Sequence, residues 1–587
     1  MWRRPLRLHL PAAGFLFTAL AATAAEENAA PAKPETPSIL ARLTLRSLGG
    51  SLDAWSRYCD SSLANAGGLA KQAAACSLFR VPIAAGLDLA QPAALFFLTP
   101  PARNPLARTA LAAQVSGDGT AWLAEIESVF GPEAILERRL PSAANDAGAP
   151  NSLSSLWKLK VPAPPDESDR AVWVAVRRRT ALVAPDVEVM REILTALEDA
   201  EKRNRVEGAA AFLEGAGHDA QLDVALENCV PLLKGGLSLA ELVLLWKNDT
   251  AEAARQLAPL FAWVKQSAEE LERLQATVDF REERLEVSLA CRARPNSALH
   301  RLLSAPLRSA RGPAVWPESE LAFSLSAPAL KPLSARGPQA AGLLKALAAV
   351  SKKPAPKAAE RALEAATKAL ELLDGECALA AGPSMNGAWR VCLGTAARAE
   401  PEETLRELLR ALAALAGREE VEFERETGDF DGASCGLLRV REAAPEARLP
   451  EAFWVQGTRA TFFGFGRGLK LGRQDLPLAP AGGSQPAPDA APRPLAGPEA
   501  GLSVVSGMVR PVSLLRLLLD ARDAMRTDEL ASLERQQETV GFRMDIGDGA
   551  ARARLVVPAK AAGASARAWL WLVGQTRGPF RRPDERP

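Results

Sequence analysis

Ser434 has the clearest catalytic spacing in the chain, because it lies in Gly432-Ala433-Ser434-Cys435-Gly436, which matches the GxSxG elbow of serine hydrolases. That elbow needs a strand before the serine, a helix after it and a histidine that activates the hydroxyl. The residues that follow, LLRVREA, predict a strand, and no histidine follows His300. The segment is therefore predicted to be structural, and a hydrolase is the least favoured of the functions considered below.

Two glycine- or aspartate-rich stretches resemble fragments of ligand-binding loops. Gly464-Phe465-Gly466-Arg467-Gly468 follows a strand, as a phosphate-binding loop does, but the next residues show no helical pattern whose N-terminus could hold a phosphate. We expect a flexible loop there. Asp429–Gly432 and Asp545–Gly549 resemble pieces of calcium loops without the closing glutamate, and we expect turns.

Histidines and arginines give no clear metal or anion site. The only histidines are His9, His218 and His300, and no CxxC pair occurs, so no metal site and no cofactor are predicted. Arg177–Arg179 lie at the tip of a predicted hairpin, AVWVAV-RRR-TALVA, where three cations could bind an anion. A solvated turn is the commoner arrangement and is the one we predict.

Cysteine spacing suggests one disulfide. The segment CALAAGPSMNGAWRVC predicts a hairpin with its turn near Pro383–Gly387, which would place Cys377 almost opposite Cys392. A bridge between these two residues is the favoured pairing among the seven cysteines, and buried free thiols are the alternative. The weaker alternatives are Cys59 with Cys76 and Cys229 with Cys291.

The elements that would position such residues are predicted from an internal repeat. LERLQATVDFR at Leu271–Arg281 returns as LERQQETVGFR at Leu533–Arg543, with eight of eleven positions identical. In the first copy a long helix is predicted over Gln256–Gln275, because apolar residues recur at helical spacing, followed by antiparallel strands that the helix covers. The expected fold class is α+β: an internally duplicated unit of antiparallel sheet packed against long amphipathic helices.

Two local patterns make sharper predictions. In Asp219–Asn228, apolar Leu222, Val224 and Leu226 alternate with polar neighbours, so the apolar face is expected to be buried and the polar face to be wet. Pro185 and Asp186 are expected to open a helix whose apolar stripe includes Met190, Ile193, Leu194 and Leu197.

The predicted domain boundaries follow composition and repeat. They are a signal peptide at 1–24, a Pro/Ala-rich leader at 25–38, a first repeat domain at 39–304, a linker at 305–317, a second repeat domain at 318–575 with a disordered Pro-rich insert at 479–498, and a disordered tail at 576–587.

The N-terminus predicts export. Basic residues Arg3, Arg4 and Arg7 precede a short apolar run that ends in Ala22-Thr23-Ala24, which fits a cleavable signal peptide, with no transmembrane segment after cleavage. The expected location is the periplasm or the extracellular space. The formal net charge is +1, so no global field favours nucleic acid.

These observations favour an exported, non-catalytic scaffold or binding protein with an unknown protein partner. The alternative is a periplasmic carrier of a lipid or other apolar ligand held between the sheet and its long helix. Runs such as LSLAELVLLW at Leu237–Trp246 motivate that alternative, although a core helix would explain them equally well.

Overall fold

The chain forms two compact units, which we call unit 1 and unit 2. A computed structural model describes residues 39–63, 87–98, 109–115, 119–132, 135–139, 155–161, 170–212, 218–246, 251–281, 283–304, 321–326, 361, 364–365, 368–369, 372, 376–383, 389–395, 400–415, 421–430, 432–441, 449–457, 460–471, 502–513, 532–533 and 538–576. Unit 1 comprises residues up to Leu242 with Lys265–Glu282 and Val287–Arg292. Unit 2 comprises Val243–Val264, Glu283–Glu286 and the residues from Ala293 onwards.

The first ten strands of the chain are antiparallel and pair in the order β4-β5-β6-β7-β3-β2-β1-β8-β9-β10. β1 to β9 belong to unit 1, and β10 is divided between the two units. The strands are β1 (Ile39–Leu45), β2 (Ala93–Leu98), β3 (Thr109–Gln114), β4 (Ile135–Arg139), β5 (Ser155–Val161), β6 (Arg170–Arg177), β7 (Thr180–Ala184), β8 (Ala220–Val224), β9 (Leu271–Arg281) and β10 (Arg284–Ala293). The helical segments in this part of the chain are α1 (Leu48–Ser62), α2 (Gly119–Phe130), α3 (Val187–Asn204), a 3₁₀ helix (Gly208–Phe212), α4 (Leu226–Trp246) and α5 (Ala251–Glu269). The end of α4 and most of α5 belong to unit 2.

Both faces of this sheet are apolar over its middle strands. Helix α3 covers one face, where it packs against Phe96 and Leu182, and the 3₁₀ helix adds Phe212 to the same cluster. Helix α2 covers the other face through Trp122 and its neighbours. The predicted start of α3 is confirmed: Asp186 is its N-cap, and its side chain accepts a hydrogen bond from the Val189 N–H.

Unit 2 repeats this strand order position by position, as β14-β15-β16-β17-β13-β12-β11-β18-β19-β20. The strands are β11 (Leu321–Ser326), β12 (Glu376–Pro383), β13 (Trp389–Thr395), β14 (Phe423–Phe430), β15 (Ala433–Val440), β16 (Glu451–Gln456), β17 (Thr461–Gly466), β18 (Leu502–Val509), β19 (Val540–Gly547) and β20 (Ala550–Pro558). The helices are α6 (Ala298–Leu303), α7 (Glu402–Leu415) and α8 (Ala559–Thr576).

The core of unit 2 depends on close packing across its strands. Leu405 and Leu409 of α7 pack against Trp454 and Phe463 of the sheet. Gly436 leaves room for the Trp454 ring, because a Cβ at this position would lie 1.9 Å from the ring atom Cζ2. A larger residue here would force the tryptophan out of its place.

The predicted fold class, antiparallel sheet packed against long amphipathic helices, is wrong. The described residues form mostly antiparallel sheet, with twenty strands and nine helical segments, of which seven have seven or more residues. Leu289 of β10, expected to lie under a helix, is 48% exposed. Helix α5 is instead linked to α4, since the Lys265 ammonium donates to Ser238.

The long helix predicted over Gln256–Gln275 is present as α5 (Ala251–Glu269), but it ends before Leu271. Leu271–Arg281 is strand β9 throughout, because it pairs with β8 and β10 on its two sides. In the second copy the strand begins only at Val540, and Arg543 lies inside β19, which continues to Gly547. Strand pairing therefore overrides the helical spacing of the first copy only over Leu271–Gln275.

Several predicted segments lie outside the described residues. These are the signal peptide, the leader, the linker at 305–317, the insert at 479–498 and the tail beyond Thr576. Within the ranges that are described, no helix is long and apolar enough to cross a membrane.

Candidate functional site

The sequence motifs with catalytic or ligand-binding spacing lie in ordinary structure. Ser434 is the second residue of β15, opposite Gln456 of β16, so it does not stand on a strand-to-helix elbow. Gly464 lies inside β17, where an added Cβ would come within 2.0 Å of the Val391 carbonyl oxygen. That glycine therefore permits close approach of two strands and does not form a phosphate loop.

The hairpin tip at Arg177–Arg179 is neutralised by glutamates. The Arg177 guanidinium is 8% exposed and donates to the Glu201 carboxylate over 2.7 Å, and Arg178 pairs with Glu207. Arg177 and Glu201 thus form a buried structural ion pair, and the prediction that Arg177 lies in a solvated turn is wrong. The tip does not present three free cations to an anion.

The hairpin predicted to carry a disulfide is present, but it does not bring the two cysteines together. Cys377 lies opposite Thr395, and Cys392 lies opposite Ala380, so the two side chains emerge on opposite faces of the sheet. Both are buried, and neither forms a disulfide. Burial raises the pKa of the Cys392 thiol well above its ordinary value.

A continuous set of polar side chains crosses unit 1 on the face that α3 covers elsewhere. We call it the polar row. Strand pairing aligns Thr44 of β1 with Gln221 of β8, and Gln221 with Thr277 of β9. The remaining members are Arg42, Asp223, Arg273, Asp279 and His218. On this face β2, β3 and β7 carry apolar side chains, so the face changes from apolar to polar at β1.

The centre of the row is buried. Thr44 is 0% exposed, Gln221 is 2% exposed and Thr277 is 9% exposed. Thr44 Oγ1 has no hydrogen-bond partner, and neither has Nε of the neighbouring Arg42. An unsatisfied buried hydroxyl costs about 1–3 kcal/mol, so these atoms need an explanation.

One end of the row is an ion-pair cluster around Asp223. Its carboxylate accepts from the Arg42 guanidinium at 2.9 Å and from the Gln221 amide at 2.9 Å. Arg273, which is more exposed, approaches the second oxygen at 3.5 Å. The Arg42 guanidinium also lies 4.6 Å from the centre of the Phe212 ring, at the border with the apolar cluster.

The other end of the row is the pair of His218 and Asp279. Asp279 Oδ2 lies 2.8 Å from His218 Nδ1, and Oδ1 accepts from the Asp219 N–H at 3.1 Å. Asp219 in turn accepts from the Phe280 N–H at 2.8 Å. Because a carboxylate accepts hydrogen bonds, Nδ1 carries the proton, and the His218 ring is 43% exposed.

The row can bind hydrogen-bonding groups, but it shows no catalytic or metal-binding constellation. Two guanidinium groups, those of Arg42 and Arg273, face three carboxylates, those of Asp219, Asp223 and Asp279, so the row does not favour an anionic ligand. Among the described residues, no group of three or more His, Cys, Asp and Glu side chains is placed to hold a metal ion. From Asp219 to Asp223 the row runs roughly 13 Å, at about 3.3 Å per strand residue.

Sequence reasoning missed this site because it assigned the wrong face of β8 to solvent. The alternation in β8 is real, but Gln221 is buried while Leu222 is only half-buried. Alternation shows which residues share a face, and the surrounding structure decides which face is covered. No family model, curated protein or solved structure matches the chain, so the row is interpreted from its own geometry.

Proposed function

We propose that this chain is an exported, non-catalytic binding protein, and that the polar row of unit 1 contacts its ligand. The observation that carries the proposal is that the hydrogen-bonded polar row continues from a buried centre to two exposed ends, where the side chains of Arg273 and His218 are 46% and 43% exposed. Export is inferred from the basic and apolar N-terminal segment.

The chemistry of the row favours a small polar ligand over an apolar one. A lipid would cover the partly exposed ion pairs of Asp223 with Arg42 and Arg273 without offering them hydrogen bonds. A ligand with its own donors and acceptors would hydrogen-bond at the exposed ends of the row, at Arg273 and the His218 ring.

The test is native mass spectrometry of the mature protein purified from the periplasm, followed by solvent extraction. We expect an excess mass of one small molecule that remains in the aqueous phase. Gln221→Met keeps the shape of a buried side chain and removes its polar atoms, so this variant should lose the extra mass. Gln456→Met, a glutamine of β16 in unit 2, is the matched control and should retain it.

Three outcomes contradict the proposal. Cargo that partitions into organic solvent would favour the carrier of an apolar ligand. A stoichiometric protein partner with no small molecule would favour a scaffold. A clean apo mass, together with an unchanged melting temperature in the low-molecular-weight periplasmic fraction, would rule out a small ligand at the row.

A further inference from the structure

We draw no further inference here: the strongest candidate, the half-buried apolar face of β18, β19 and β20 around Phe542 and Leu555 in unit 2, carries nothing because the described part of the chain does not show what covers it.

Discussion

Replacing Thr44 by valine should stabilise the ligand-free protein, although it changes a fully buried residue in a central strand. Valine has the shape of threonine and lacks its hydroxyl. Thr44 is 0% exposed and Oγ1 is unpartnered, so the substitution removes a buried polar atom without breaking a hydrogen bond. The desolvation cost of such an atom is about 1–3 kcal/mol, and we expect a gain of about 1–2 kcal/mol in the free energy of unfolding.

The control is the same substitution at Thr461, the first residue of β17. Thr461 is also 0% exposed, but its hydroxyl is not among the buried atoms that lack a partner. Thr461→Val should therefore lower the free energy of unfolding by about 1 kcal/mol. Both threonines are fully buried, so packing changes equally in the two variants. Opposite changes in the free energy of unfolding would therefore report whether the hydroxyl had a hydrogen-bond partner.

The assay is differential scanning calorimetry of protein that has been unfolded, dialysed and refolded to remove ligand. For a unit of this size, 1 kcal/mol corresponds to a shift of roughly 2–4 °C in the unit 1 transition. Amide exchange of β1 gives a second, local measure that does not assume one transition for both units. A lower melting temperature for Thr44→Val would refute the reasoning, since it would mean that Oγ1 has a partner in the ligand-free protein.

Four further predictions concern other parts of the molecule. Asp279→Ala should lower stability by about 2–3 kcal/mol in urea titrations, because the His218 ring and the Asp219 N–H both lose their acceptor, whereas Asp279→Asn should cost less. Arg177→Met should cost about 3 kcal/mol because it leaves Glu201 facing a buried gap, and adding Glu201→Gln should recover part of the loss in the same titration. Gly436→Ala should lower the melting temperature because of the overlap with Trp454, while Gly235→Ala in α4, where nothing lies within 4 Å, should raise stability by about 0.5–1 kcal/mol. Burial raises the pKa of Cys59 to about 11, so its alkylation rate by iodoacetamide, followed by peptide mass spectrometry, should rise about tenfold per pH unit between pH 7 and 10; a plateau near pH 8 would contradict this.

The sequence predicts local elements well where the signal is short-range. The hairpin of β6 and β7 and the helix that begins after Asp186 are both read correctly, because turn residues and an N-cap act on neighbouring positions. The predicted end of α5 is wrong, because the helical spacing continues to Gln275 whereas the helix ends at Glu269. Pairing with β8 and β10 makes the residues from Leu271 onwards a strand, and local spacing does not reveal that pairing.

The polar row was invisible in the sequence for a related reason. Thr44 and Gln221 are separated by a long stretch of chain, and only strand order brings them opposite each other. No spacing rule links such residues, and their alternation with apolar neighbours is the ordinary pattern of a strand with one face in water.

We propose that function, rather than stability, explains the polar row of unit 1. Eight buried side-chain atoms lack a hydrogen-bond partner among the described residues, and two of them, Arg42 Nε and Thr44 Oγ1, belong to this row. Well-packed apolar pairs at the same positions would be as stable or more stable, because a buried ion pair seldom repays its desolvation. Apolar residues occupy the rest of the same sheet face in unit 1, so the fold itself does not require polar groups there. Local sequence that disagrees with the surrounding core is expected where a site has been kept at the expense of stability. The polar row of unit 1 fits that description.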